Sequence, residues 1–314
     1  MSILLAKYAN YDPRSAITCR NDVARYEYIL LGDSAFCSYY VDAEGETLWR
    51  RLEAGTGKRV FPGALNAADS LDFLDQAYYV SLAARPGSTV LLNLIPTRDF
   101  GEKERSHEKT FDLLLGNNRW ALAGTFLGEP YAVANIYKYR YLYGLYDSTA
   151  IKNFPEIFSR SKSYFKTRRY FDRTWNDGSP FARERYDKFL EVMNVGKIYD
   201  VVDYTGLEKI RKVLSSNNIR TIFVISPVNH ELIEQWSGDR LQDMQAFFET
   251  RTTKLKNYLS LNNFEYIDLS RSVDSSGFAD LTHTNAAGEM IVAGEIVKYI
   301  NGRNMKASSG QQVQ

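Results

Sequence analysis

The chain returns repeatedly to one local pattern, a short unbroken apolar run stopped by glycine or proline and followed by a longer stretch of helical periodicity. Tyr26 to Leu31 stops at Gly32, Arg59-Val60-Phe61 stops at Pro62-Gly63-Ala64, and Thr89 to Ile95 stops at Pro96. Such runs lack the alternation of a half-exposed strand, so they predict strands buried on both faces of a parallel sheet. Between them, Ser34 to Ala54 carries Phe36, Tyr39, Tyr40, Leu48 and Leu52 without a proline, which predicts a helix starting at Ser34. Ala67 to Ala84 repeats the pattern through Leu71, Leu74, Ala77, Tyr78 and Val80. The order β-α-β-α-β with short connections suits right-handed parallel crossovers.

The rhythm lapses after Pro96 and resumes near Asp203. The intervening residues are rich in Tyr, Phe and Arg, as in Tyr137-Lys138-Tyr139-Arg140-Tyr141-Leu142-Tyr143 and Lys166-Thr167-Arg168-Arg169-Tyr170-Phe171. They are too many for a plain loop and too apolar for disorder, so they predict a long, mainly helical insertion over the carboxyl edge of the sheet. Beyond it, Leu207, Ile210, Val213 and Leu214 form a helix face, Arg220 to Ile225 a fourth strand, and Leu241 to Leu261 a long amphipathic helix. Phe264 to Leu269 is a fifth strand and Asn285 to Ile300 the closing helix. The expected architecture is a three-layer α/β/α fold with about five parallel strands. It divides into a first α/β part at 1–95, the insertion at 96–199, a second α/β part at 200–303 and a disordered tail at 304–314. No internal repeat is present.

Composition narrows the function classes. With 314 residues, 44% apolar and 25% charged, the chain can bury a full core. A net charge of +1 gives no overall reason to bind nucleic acid or an anionic membrane. Cys19 and Cys37 are the two cysteines, so a disulfide framework or cysteine-rich zinc site is unavailable. One bridge between them or two unrelated thiols both fit. No run is long and apolar enough for a transmembrane helix, and Met1 to Lys7 is too brief for a signal peptide. That leading segment fits a cytoplasmic protein, or one whose anchor or signal lies outside this sequence.

The residues with chemical potential stand at opposite ends of the chain. Ser34 follows the first strand in Gly32-Asp33-Ser34, which puts its hydroxyl at the carboxyl edge where open α/β sheets bind ligands. Asp280-Leu281-Thr282-His283 follows the fifth strand and reaches the same edge. An Asp three residues before a His can hold Nδ1 and fix its tautomer, leaving Nε2 to take a serine proton. The plain alternatives are a helix cap at Asp33 or Ser34, and a surface loop capping the last helix through Asp280 or Thr284. Gly63 lets backbone approach a substrate closely, or simply completes a Pro-Gly turn. His230 competes for the base role but lacks an Asp at orienting spacing, and His107 reads as a solvated surface residue. No His, Asp or Glu cluster has metal-ligand spacing, and no dinucleotide fingerprint is present.

Gly32-Asp33-Ser34 and Asp280-Leu281-Thr282-His283 together resemble the first and last motif blocks of the SGNH (GDSL-type) hydrolase superfamily. The resemblance implies Ser34 as nucleophile, His283 as base and Asp280 as orienter, with no metal or organic cofactor. It also implies an oxyanion hole built from the N–H groups of Ser34 and Gly63. The usual Gly-x-Asn-Asp block is absent after the third strand. Asn93 is the nearest candidate, either as an amide donor to the oxyanion or as a buried Asn bonded to backbone.

Ser226-Pro227-Val228-Asn229 further resembles the DltD-like branch and the related AlgJ and AlgX type, which take part in acylating cell-surface polymers. Asn229 and His230 are candidate substrate contacts, His230 otherwise a bystander, and the alternation of Tyr139 and Tyr141 with other residues makes either an aromatic strip for sugar rings or the packed core of a cap. The implied activity is O-acyl transfer, of acetyl above all, to an extracellular or cell-surface polysaccharide. Carbohydrate O-acetyl esterase and non-catalytic glycan-binding scaffold are the alternatives. The implied partners are a hydroxyl-bearing polymer and a membrane-bound O-acyltransferase, with no nucleic acid. The implied location is extracytoplasmic, in the periplasm or at the cell surface.

Overall fold

The computed structural model describes residues 23–38, 41, 44–64, 73–74, 76–77, 80–81, 84–98, 100 and 202–310, the side chains of 240 and 304–310 excepted. Five parallel strands form one sheet: β1 (Tyr28–Leu31), β2 (Val60–Pro62), β3 (Thr89–Leu94), β4 (Arg220–Ile225) and β5 (Tyr266–Asp268). Their spatial order is β2-β1-β3-β4-β5. This is a doubly wound order, with its topological switch point between β1 and β3.

Strand register explains the three layers. Leu30 lies opposite Leu91, and Leu91 opposite Ile222, while Leu31, Leu92 and Phe223 form the next row. Successive side chains point to opposite faces, so neighbouring rows supply two separate cores. On one face Leu30, Leu91, Ile222, Val224 and Ile267 pack under α1 (Leu48–Thr56) and the closing helix, which reach them through Leu48, Leu52, Val292 and Ile296. On the other, Ile29, Leu31, Leu92 and Phe223 pack under α2 (Thr205–Ser215) and under Phe73, Ala77 and Val80 of another helical stretch. A third cluster joins α3 (His230–Trp236) to α4 (Leu241–Leu261) and takes in Leu281 from the Asp280–His283 loop. The closing helix is α5 (Ala286–Gly310).

The expected fold class stands: a mixed α/β protein on a five-stranded parallel sheet. Several boundaries differ. The helix expected from Ser34 to Ala54 is a single 3-10 turn at Ser34–Phe36, a second at Glu44–Glu46, and α1 only from Leu48. The Asp33 side chain closes the first turn by accepting from the Ala35 N–H, and Ser38 then takes a left-handed φ of 51°. The Ser38 hydroxyl accepts from the Leu48 N–H and donates to the buried Glu289 carboxylate, so it anchors the start of α1 instead of continuing a helix. β2 and β5 are shorter than their apolar runs, and α5 continues past Ile300 to Gly310, into the expected tail. The lead-in, nearly all of the 96–199 insertion and residues 311–314 lie outside the described residues. Among the described residues no helix is long and apolar enough to cross a membrane. Cys37 is a buried thiol that donates to Asp33 C=O at 3.4 Å, and Cys19 lies outside the described residues.

At the opposite edge of the sheet, Glu265 ties β4 to α5. It pairs with Arg220 through both carboxylate oxygens, accepts from the Tyr299 hydroxyl at 3.2 Å and lies 3.6 Å from Arg303. Burial alone would raise this carboxyl, but the Arg220 hydrogen bonds and charge, with Arg303 and Tyr299, hold it below the usual range. A depressed carboxyl stabilises the fold fully above its unfolded value and loses that contribution as pH falls through the folded value. Arg220 is partly in water, with 37% of its side chain exposed, so screening limits the gain. Glu265→Gln is expected to lower unfolding free energy by about 1 kcal/mol at neutral pH. In urea melts that deficit should be constant above about pH 5 and close as pH falls below about 4.

Candidate active site

Ser34 sits just past the carboxyl end of β1, at the switch point. Gly32 makes this possible with a φ of 123°, a conformation that side chains rarely tolerate. Space imposes the same choice: a Cβ on Gly32 would lie 1.6 Å from Asn93 Oδ1. Asp33 follows in extended conformation, and its fully buried carboxylate accepts from Ala35 N–H at 3.0 Å and from Asn93 Nδ2 at 2.8 Å. Arg98, just beyond β3, places a guanidinium nitrogen 3.0 Å from the other oxygen. That approach supplies charge without an aligned hydrogen bond, since Oδ2 has no hydrogen-bond donor among the described residues.

The Asp280–His283 loop arrives from the far end of the chain. An isolated antiparallel bridge between Phe278 and Thr284 closes it, with Ala279 N–H donating to His283 C=O at 2.8 Å. Within it, Asp280 Oδ1 accepts the backbone N–H groups of Thr282 at 2.9 Å and His283 at 2.8 Å. Oδ2 lies 2.7 Å from His283 Nδ1, and His283 Nε2 lies 2.7 Å from Ser34 Oγ. The structure therefore brings Ser34, His283 and Asp280 into one hydrogen-bonded chain. Burial would raise the Asp280 carboxyl, but the His283 charge and hydrogen bond and the two backbone donors outweigh it and hold it below the usual range. An ionised carboxylate has no proton to give, so Nδ1 donates to it, and in the neutral imidazole Nε2 then has the lone pair that accepts from the Ser34 hydroxyl. The His283 side chain is 22% exposed, so this line of groups opens to solvent.

The other expected residues have different places. Asn93 reaches the site but is not aimed at an oxyanion: Oδ1 accepts from Asp33 N–H at 2.8 Å, and Nδ2 is spent on Asp33 Oδ1 and, at 3.5 Å, Ser226 Oγ. It is fully buried and holds Asp33. The Gly63 N–H turns back to Phe61 C=O at 3.0 Å, the arrangement of a tight turn rather than an open donor. Ser34 lies on one 3-10 turn and not at the head of a long helix, so no macrodipole is available to it. Its own N–H has no partner among the described residues.

Asn229 is 2% exposed, which leaves it little surface for a substrate. Its side chain caps α3 through Leu232 N–H, and its own N–H holds Leu281 C=O at 2.9 Å, steadying the loop that carries Asp280 and His283. His230 opens α3, outside the hydrogen-bonded chain. Burial, then the charge of Arg271, lowers its basicity, against the Ser270 backbone and the Glu249 and Glu234 carboxylates. The cap of α5 is Asn285, through Ala287 and Gly288 N–H, rather than Asp280 or Thr284. Tyr139 and Tyr141 lie outside the described residues. No cluster of metal-binding groups occurs among the described residues.

Sequence reasoning missed Gln76, whose side chain brackets Gly32, and Arg98 beside Asp33. A polar residue inside an otherwise apolar helix face was the available signal for Gln76. A cavity of about 430 Å³ lined by Tyr26, Trp49, Arg50, Glu53, Lys58 and Arg59 lies at the amino edge of β1 and β2, away from Ser34.

The sequence matches no protein-family model and no curated protein. Among solved structures, the chain is similar to a member of the lipolytic protein G-D-S-L family from Veillonella parvula. That likeness has a TM-score of 0.43 and 11% identity, covering 87% of this chain and 96% of the other. A Bacteroides ovatus protein described as a GDSL-like lipase gives a TM-score of 0.40 and 11% identity, covering 90% of this chain and 54% of the other. Both likenesses are distant, and the fold class rests on the strand order and register described above.

Gly32→Ala combines a forbidden φ with a collision against Asn93, and is expected to cost about 3 kcal/mol or more in urea unfolding. Gly57 has a φ of 66° with open space around it. Gly57→Ala should therefore cost only about 1 kcal/mol, which isolates the backbone effect from the collision.

Proposed function

We propose that this protein is a serine-dependent acyl-transfer enzyme in which Ser34 is the nucleophile, His283 the general base and Asp280 the orienter. The observation that carries the reading is the unbroken chain Asp280–His283–Ser34, with both side-chain links at 2.7 Å. His283 Nε2 takes the hydroxyl proton as Ser34 Oγ attacks an ester carbonyl, and the resulting imidazolium faces the Asp280 carboxylate. The tetrahedral intermediate collapses as His283 returns the proton to the leaving alcohol, and Ser34 keeps the acyl group. For the developing oxyanion the proposed donor is the Ser34 N–H, which has no partner among the described residues, whereas Asn93 and Gly63 are otherwise engaged.

For the acceptor we propose a hydroxyl of an extracellular or cell-surface polysaccharide, acetyl being the group moved, with a membrane-bound O-acyltransferase as partner outside the cytoplasm. The support is the Ser226-Pro227-Val228-Asn229 motif together with the Asp280–His283 block, which resemble the DltD, AlgJ and AlgX type.

The test is intact-mass detection of the Ser34 acyl-enzyme with p-nitrophenyl acetate and a serine-directed fluorophosphonate. One adduct is expected, absent in Ser34→Ala. Asp280→Asn should slow acylation by about 10⁴, because the amide no longer enforces the tautomer that leaves Nε2 unprotonated. The folded protein giving no adduct at all would defeat the reading. Acetyl that persists in water and leaves on addition of an oligosaccharide supports transfer, whereas rapid loss to water supports an esterase. Since Asp280 is held below the usual carboxylate range, its charge is present above that range and lost only as pH falls through the folded value. Acylation should therefore lose no orienting effect at mildly acidic pH, down to about pH 4.

A further inference from the structure

We infer that Gln76 is a positioning residue for Ser34, acting through the Gly32 peptide. The inference deepens the proposed function and rests on Ser34 being the nucleophile.

β1 pairs with β3 only as far as Leu31 opposite Leu92. The next residue, Gly32, is buried and its peptide groups have left the ladder, so each needs another partner or costs stability. Gln76 supplies both. Its Oε1 accepts from Gly32 N–H at 2.8 Å and its Nε2 donates to Gly32 C=O at 3.1 Å. A fully buried amide thus does for one residue what a neighbouring strand would do. Gln76 is itself rigidly seated, since Phe73 and Ala77 beside it are fully buried in the core against the sheet.

Asn93 fixes the following residue from the other side. Its amide occupies the space that a Gly32 Cβ would fill and pairs with Asp33 at both N–H and carboxylate. The Gly32–Asp33 peptide is thus held at both ends, its C=O by Gln76 and its N–H by Asn93, and turning it would break two hydrogen bonds at once. These two residues lead directly into Ser34, whose Oγ must meet His283 Nε2 and whose N–H must face the oxyanion. Both therefore take their direction from two buried amides that touch neither reacting atom. A displacement of about 1 Å at a nucleophile costs about 10² in rate, which sets the expected effect.

The test uses the full chain and the fluorophosphonate probe, with rates referred to the folded fraction measured by near-UV circular dichroism. Gln76→Met keeps the volume and removes both bonds. It should slow the maximal labelling rate by about 100-fold and leave the half-saturating probe concentration within about twofold. Gln76→Glu is the conservative rescue. As a neutral acid it can still make both bonds; once ionised it presents oxygen to the Gly32 carbonyl. Its rate should approach wild type near pH 5 and fall as pH rises, a buried Glu ionising above the usual range of about 4 to 5. The ¹⁵N resonance of His283 Nε2 gives a readout independent of chemistry, and the chain has only 3 His to assign. In Gln76→Met it should move towards its position in Ser34→Ala.

Folded variants that label at the wild-type rate with an unmoved His283 resonance would overturn the inference. If Gln76→Met does not fold, Gln76→Glu decides alone: a rate ratio to wild type that stays flat with pH while thermal stability falls also overturns it. A wild-type protein without a Ser34 adduct would instead remove the nucleophile assignment. The resonance in the variants would still show whether Gln76 sets the meeting of Ser34 and His283, and an unmoved signal would reject that as well.

Discussion

A parallel sheet covered on both faces leaves its backbone polar groups nowhere to go except into the ladder. At the carboxyl edge the ladder runs out, and everything distinctive here answers that problem. Gln76 meets the peptide of Gly32, Asn93 meets Asp33, Asn229 meets Leu281, and Asp280 gathers two N–H groups of its own loop. Gln76, Asn93 and Asp280 do so with a buried side-chain amide or carboxylate that substitutes for a missing strand partner, and Asn229 does so with its own backbone N–H. The edge is therefore stiff where irregular backbone would ordinarily be soft. That stiffness holds a hydroxyl and an imidazole 2.7 Å apart without either being part of regular structure.

This arrangement also separates two duties that a glance at the residue types would merge. Asn93 stands near Ser34 and could be taken for a donor to substrate, yet its hydrogens are committed to Asp33 and Ser226. Asn229 likewise spends its side-chain oxygen on the first turn of α3. The groups left to face a ligand are fewer than the polar residues gathered at the edge. Ser34 and His283 are the half-open ones, and those behind them are sealed.

The fold was legible because its signals are local and repeated. Unbroken apolar runs such as Leu91-Leu92 or Ile222-Phe223-Val224 leave little choice but a strand with two dry faces, and the parallel order follows from the helices between them. Ser34, Asp280 and His283 were legible because their types and order carry chemistry. What sequence did not disclose was direction. The helix expected at Ser34 failed because Asp33 closes a 3-10 turn and Ser38 turns left-handed, choices made by Asn93, Leu48 and Glu289, all distant in sequence. Asn93 and Gly63 were placed correctly near the edge, but whether an N–H points at substrate or back into the protein depends on partners far along the chain. Gln76 escaped notice because one polar residue on an apolar helix face has no meaning until its neighbour is known.

Ser34 belongs to the first strand connection and His283 to the last, 249 positions later, and the final helix packs on α1 near the serine. During synthesis the Ser34 hydroxyl emerges early and stays without its imidazole partner through the making of every other strand. A chain released before residue 280 lacks both members of the pair that meets it, however well its earlier part has collapsed. On the proposed reading, a half-made copy therefore has a hydroxyl with no group beside it to take its proton.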